Sequence, residues 1–154
     1  MALDTKEVRS TLNGLIEICK DGEEGFRKAS ASVKTSSLQT LFNEFSSQRS
    51  KFAGELQVLV AKLGGEPEKS GSVSAAAHRG WIGLKSMVTG ENDQAVIAEC
   101  ERGEDVAKKA YQEALEKDLP SDIRSVVEHQ HKHVLEAHDR VRSLENKTKS
   151  SGSY

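Results

Sequence analysis

Hydrophobic residues recur at alternating intervals of three and four along four long segments of this chain. That spacing collects apolar side chains on one face of an α-helix and is typical of helices that pack in a bundle. The predicted helices extend over about residues 5–33, 38–63, 93–118 and 121–145. The first apolar face, which shows the pattern best, consists of Val8, Leu12, Leu15, Cys19, Phe26, Ala29 and Val33.

The connections between these helices differ sharply in length. Short polar turns at 34–37 and 117–121 join the first helix to the second and the third to the fourth, which indicates two helical hairpins. Gly64 and Gly65 end the second helix, and Pro67 prevents its continuation. Residues 66–92 form one long connection, in which 72–88 read as a shorter helix. A connection of this length can cross a bundle from end to end. We therefore expect an all-α, ferritin-like four-helix bundle.

Composition adds limits to this picture. The 154 residues suit one domain, predicted over 1–145 and followed by a polar tail at 146–154. A formal net charge of −2 leaves no basic excess for nucleic-acid phosphates. No apolar run approaches the ~18 residues of a membrane span, and no signal-peptide pattern opens the chain. We expect a cytoplasmic protein in which Cys19 and Cys100 are buried thiols, with a disulfide left open.

Near the midpoint of each helix a polar side chain interrupts the apolar face. These polar residues are Glu23, Gln48, Arg49, Glu104 and Gln130. Together they predict a buried polar layer. Buried charges must be paired, because an isolated charge away from water is very unfavourable. We therefore predict an Arg49–Glu104 ion pair whose hydrogen bonding is completed by Gln130, with the Tyr111 hydroxyl reaching the layer. Such a pair sets helix register and requires no cofactor.

A metal centre is the alternative interpretation of the same layer. Ferritin-like di-metal sites take a Glu from each of two helices and Glu-x-x-His from each of the other two. Glu128-x-x-His131 matches the motif, but Glu128 projects away from the apolar face, and Glu55 is followed three residues later by valine. This disfavours a standard di-iron site. A reduced ligand set for iron or another transition metal stays open, made of Glu23, Glu55, Glu104 and His131.

Two other clusters have less definite interpretations. His129 and His133 lie one turn apart on an outer helical flank, where such a pair could bind zinc or nickel adventitiously. Trp81, in the run His78-Arg79-Gly80-Trp81, is expected either to pin the crossover to the bundle or to anchor a homodimer. Phosphate-binding glycine loops, nucleophile elbows and dinucleotide fingerprints are absent from the sequence, so hydrolase and dehydrogenase functions have no support.

Several runs together resemble a known family across about residues 5–145. They are Asp21-Gly22 with Gly25-Phe26, Gln48-Arg49 with Phe52-Ala53 and Glu55-Leu56, His78-Arg79-Gly80-Trp81, Cys100-Glu101-Arg102-Gly103-Glu104-Asp105 with Tyr111, Asp118-Leu119-Pro120, and Gln130 with His138-Asp139. The family consists of bacterial ferritin-like four-helix-bundle proteins described as a domain of unknown function. The resemblance implies a soluble bacterial protein with that fold, and it supplies no activity. We expect a structural, interaction or stress-related role; the alternative is a redox protein with a reduced metal-ligand set.

Overall fold

The computed structural model describes residues 4–68, 81 and 92–151, with side chains up to 146. Four helices form the fold: α1 at Thr5–Ser32, α2 at Ser36–Lys62, α3 at Asp93–Leu115 and α4 at Ser121–Ser151. The four predicted helices are thereby confirmed. Helical conformation in α4 continues to Ser151, into the stretch expected to fray, because neither proline nor glycine interrupts it before Gly152. The short helix predicted at 72–88 lies outside the described residues, apart from Trp81.

Side chains and turns define the helix ends. The Asp4 carboxylate caps α1 by accepting a hydrogen bond from the Glu7 amide at 2.8 Å. Asn92 caps α3 in the same way. After α2, Gly64 has a φ of 80°, the left-handed conformation that glycine supplies at a helix end. Thr35 precedes α2, and its hydroxyl donates to Asp93 at 2.6 Å instead of capping the helix.

Contacts between the helices define their directions. Arg9 of α1 reaches the carbonyl of Leu63 at the end of α2, whereas Ser30 reaches that of Gln39 near the start of α2, so these helices are antiparallel. α3 and α4 are antiparallel by the same test, since Tyr111 bonds Gln130 while Asp105 bonds His138. α1 also runs antiparallel to α3: Lys117 contacts Thr11, and Asp93 contacts the turn after α1.

It follows that α2 and α3, although consecutive in the chain, are parallel and diagonal to each other. α2 ends beside the start of α1, whereas α3 begins beside the end of α1. The two ends of the connection between them therefore lie at opposite ends of the bundle, about 40 Å apart for a 27-residue helix. This is the predicted arrangement of two hairpins joined by a crossover, as distinct from an up-down-up-down bundle.

The core has two parts, divided by the polar side chains near mid-height. One cluster includes Leu12, Ile16, Leu56 and Val127, and the other is built around Phe26, Phe42 and Ile97. Trp81 belongs to the second cluster. None of the described helices combines the length and the low charge needed to cross a bilayer.

Trp81 enters the bundle between α1 and α3. Its indole is 5% exposed and meets Phe26 edge-on, with ring centroids 5.1 Å apart. A Cβ atom at Gly25 or at Gly103 would overlap with the indole ring. The two glycines thus form a slot for the crossover tryptophan. The indole is buried within the protomer, as expected for a residue that pins the crossover to the bundle.

Candidate functional site

A buried ion pair joins the diagonal helices α2 and α3 at mid-height. Both terminal nitrogens of Arg49 donate to the carboxylate of Glu104, Nη1 to Oε1 and Nη2 to Oε2, each at 2.6 Å. The side chains are 1% and 0% exposed. This two-pronged geometry is the strongest arrangement that a guanidinium and a carboxylate can form. Because α2 and α3 lie on a diagonal, the pair spans the centre of the bundle.

The helices around Arg49 are adapted to its size. Gly22 of α1 lies against the side chain, and a Cβ atom there would be 3.2 Å from Arg49 Nη1. The guanidinium carbon lies 5.5 Å from the ring centroid of Phe26, which places a cation beside an aromatic ring. Burial by itself would lower the pKa of Arg49, but the carboxylate of Glu104 outweighs it, and the pKa is raised. Arg49 is therefore a permanent cation in the core.

A second polar network lies beside the ion pair. The hydroxyl of Tyr111 donates to Oε1 of Gln130 at 2.7 Å. The amide nitrogen of Gln130 donates to Oε1 of Glu55 at 3.0 Å and to the carbonyl of Phe52 at 3.3 Å. Sγ of Cys19 lies 3.1 Å from the Tyr111 hydroxyl. Gln130 thus completes this network, through Tyr111, Glu55 and the Phe52 carbonyl, instead of the hydrogen bonds of the ion pair.

The proton positions in this network follow from its chemistry. Tyr111 uses its single O–H proton on Gln130, so its oxygen is left to accept from the S–H group of Cys19. Burial raises the pKa of Cys19 to about 11, although the positive charge of Arg49 opposes the shift. Burial also raises the pKa of Tyr111 well above its ordinary value. Both groups are therefore neutral at physiological pH and act as hydrogen-bonding partners.

Two other members of the predicted layer lie at its edge. Glu23 is 30% exposed and pairs with Lys20 at 3.2 Å on the outer flank of α1, so its inclusion in the buried layer was wrong. Gly22, one residue earlier, makes the contact with Arg49, so the side chain of Glu23 projects from a different side of α1. Gln48 is half-buried and faces α4, and its Oε1 has no hydrogen-bond partner among the described residues.

The structure does not bring together the alternative metal ligands. Glu104 is engaged by Arg49, Glu55 by Gln130 and Glu23 by Lys20. His131 stacks on Tyr111, with centroids 6.3 Å apart, and burial together with Lys108 lowers its pKa. Within residues 4–68, 81 and 92–146, no group of three or more His, Cys, Asp or Glu side chains could hold a metal ion. A guanidinium occupies the centre, where the cation of such a site would have to be.

One buried polar contact went unpredicted. His138 of α4 is 2% exposed, and its Nε2 lies 2.6 Å from Oδ1 of Asp105 on α3, while its Nδ1 lies 3.4 Å from Asp139. The predicted polar layer did not include His138. Its spacing of four residues from Val134 and three from Val141, both fully buried, was the signal that could have revealed its burial.

An open groove of about 320 Å³ separates α2 from α4 on the remaining side of the bundle. Its walls combine charged, polar and aromatic side chains and consist of Glu44, Ser47, Gln48, Lys51, Phe52, His129 and His133. His129 and His133 form a ring contact there, with centroids 4.7 Å apart. The groove is separate from the ion pair, which has no exposed surface.

The fold agrees with that of a solved structure. A crystal structure from Anabaena variabilis, of a two-domain protein containing DJ-1/ThiJ/PfpI-like and ferritin-like domains, matches with a TM-score of 0.77 and 16% identity. The match covers 96% of this chain but only 41% of that chain. The expected ferritin-like four-helix fold is thereby confirmed. Comparison with curated proteins gives no match.

A family model covers most of the sequence. The model, described as "Domain of unknown function (DUF2383)", matches residues 7–117. These residues include α1, α2, α3 and both partners of the ion pair, and the expected resemblance to an uncharacterised family is confirmed. The chain therefore belongs to the DUF2383 family.

Proposed function

We propose that this protein is a non-enzymatic cytoplasmic bundle with a structural or interaction role, in which the Arg49–Glu104 pair occupies the place of a metal centre. The observation that carries the proposal is the two-pronged contact of two fully buried side chains. Both carboxylate oxygens of Glu104 accept hydrogen bonds from Arg49, whose positive charge opposes a second cation at this carboxylate. The two free, buried thiols at Cys19 and Cys100 suit the reducing cytoplasm.

The charge balance of the core supports this proposal. In ferritin-like metal proteins, inward-facing carboxylates are neutralised by the metal ions that they bind. Here the fully buried carboxylate of Glu104 meets a permanent cation of equal and opposite charge, Arg49. A metal ion entering this position would have to displace the guanidinium and leave it buried without a partner, which is strongly unfavourable.

An interaction role draws on the architecture of the structural relative. In the Anabaena variabilis protein, a ferritin-like domain and a DJ-1/ThiJ/PfpI-like domain share one chain. The fold is therefore compatible with a position beside a second domain. For the present chain, we propose that the rigid, ion-paired bundle presents its outer surface to a protein partner.

Elemental analysis of untagged protein, purified without a chelating column, tests the proposal against a metal-binding role. We expect no stoichiometric transition metal that depends on Glu104. The comparison uses the native protein, Glu104→Gln and a double variant, His129→Ala/His133→Ala, which removes the exposed histidine pair. Circular dichroism first establishes that each variant is helical. One equivalent of metal that is lost in Glu104→Gln but retained in the double variant would overturn the proposal.

A further inference from the structure

We propose that the groove between α2 and α4 is a binding site for a divalent transition metal, with His129 and His133 as its protein ligands. The site is distinct from the central ion pair. It lies on the outer side of the bundle, and neither histidine belongs to the ion pair or to the network around Gln130.

The two imidazoles lie next to each other on one face of α4. They lie at positions i and i+4 of α4, so both project from one face, one turn apart. Their ring centroids are 4.7 Å apart and the planes are inclined by 73°. α4 is a continuous helix through this region, which fixes the spacing of the two Cβ atoms. Two imidazoles one helical turn apart can chelate a single metal ion.

A carboxylate lies beside one of the two histidines. Nδ1 of His133 lies 3.3 Å from Oε2 of Glu136. A proton on Nδ1 that points to this carboxylate leaves Nε2 deprotonated and available to a metal. Metal-binding histidines generally have such a partner on the second nitrogen, and it also makes the imidazole a better ligand. Phe52 lies against the other side of His133, with centroids 6.1 Å apart, and limits the movement of the ring.

The opposite wall of the groove can complete the site. No three ligating side chains come together in the described residues, so water fills the remaining coordination positions. Gln48 lines the groove, and its Oε1 lacks a partner, so it can accept a hydrogen bond from a metal-bound water. Glu44 lies in the same groove, where its negative charge favours a cation. Lys51 opposes binding through its charge, and as an exposed side chain it can turn to solvent.

Donor chemistry sets the class of cation. Imidazole nitrogen favours Cu²⁺, Ni²⁺ and Zn²⁺, and Cu²⁺ binds most tightly in the usual order of divalent metals. Ca²⁺ and Mg²⁺ prefer oxygen ligands and should not bind here. Because both imidazoles must be unprotonated to bind, the affinity should fall as the pH is lowered.

Titration calorimetry with Zn²⁺ on the untagged full chain tests the site. We expect one equivalent to bind, with affinity reduced at least about tenfold by His129→Ala and likewise by His133→Ala. His131→Ala is the matched control, since His131 lies on the opposite flank against Tyr111 and should leave the affinity unchanged. Lys51→Ala should raise the affinity, because it removes a positive charge from the groove. Mg²⁺ should give no heat of binding.

Electron paramagnetic resonance of the Cu²⁺ form identifies the ligands independently. The native protein should show coupling to two imidazole nitrogens, and each single variant should show the loss of one. The proposal is overturned if Zn²⁺ does not bind, or if its affinity is the same in His129→Ala and His133→Ala as in the native chain. Equal weakening by His131→Ala would also overturn it, because the metal would then not depend on the groove.

Discussion

Removal of one partner of the buried ion pair should destabilise the fold severely. Glu104→Ala leaves the Arg49 guanidinium in a core position where it is 1% exposed and has lost both of its 2.6 Å hydrogen bonds. Breaking a buried pair in this way costs about 3–5 kcal/mol, because an uncompensated charge remains. For a chain of this size, each kcal/mol lowers the melting temperature by about 2–4 °C, so the shift should be roughly 6–20 °C.

The assay is urea denaturation followed by circular dichroism, with matched controls. Glu128→Ala removes an exposed pair with Arg124 and should lower the free energy of unfolding by no more than about 0.5 kcal/mol. Arg49→Met/Glu104→Leu replaces both charges by apolar groups of similar size. Its loss should be much smaller than the sum of the two single losses, since no buried charge is left.

The reasoning fails if Glu104→Ala is no more harmful than Glu128→Ala. It fails also if the losses of the two single variants simply add in the double variant, because independent effects would mean that Arg49 and Glu104 do not stabilise each other. A loss of several kcal/mol in the double variant would instead assign the stability to the packing of these side chains.

Three further predictions concern the surroundings of the pair. Gly103→Ala should lower the free energy of unfolding by about 1–3 kcal/mol and shift the fluorescence of Trp81 to longer wavelength, because the added methyl group overlaps with the indole; Gly14→Ala, which meets nothing within 4 Å, should be neutral or stabilising. Tyr111→Phe should lower the free energy of unfolding, measured by urea denaturation, by about 1–3 kcal/mol, since it leaves the buried amide oxygen of Gln130 without its donor. A decrease of less than about 0.5 kcal/mol would contradict this hydrogen bond. Since the pKa of Cys19 is raised from 9.0 to about 11, the unfolded state ionises first, and the free energy of unfolding should fall as the pH rises across this interval; Cys19→Ala should show a smaller fall, and an identical pH profile would exclude this thiol as the cause.

The helices and their connectivity could be predicted from local pattern. Apolar spacing depends only on the turn of the helix, and Gly64 and Pro67 act on the backbone next to them, so each leaves a signal that can be read without neighbours. The length of the connection after α2 then indicated parallel consecutive helices. Burial of Arg49 and Glu104 was foreseeable for the same reason, because a charge on an apolar face needs a partner.

The choice of partner was decided by the tertiary structure. The apolar face of α4 predicts that Gln130 is buried but does not show which polar network it joins. The positions of Tyr111 and Glu55 on other helices place it in the network beside the ion pair. Glu23 and Gly22 differ by one residue, about 100° of helical rotation, and the packing of α1 against α2 turned the glycine toward Arg49.

The tertiary structure also decided where the crossover contacts the bundle. Trp81, Gly25 and Gly103 are far apart in sequence, and nothing local relates the indole to its slot. The same holds for the groove between α2 and α4, since it arises from the separation of two helices rather than from either one. Periodicity along a chain determines which face of a helix is buried, whereas the contacts of that face depend on the distances between helices, which are long-range in sequence.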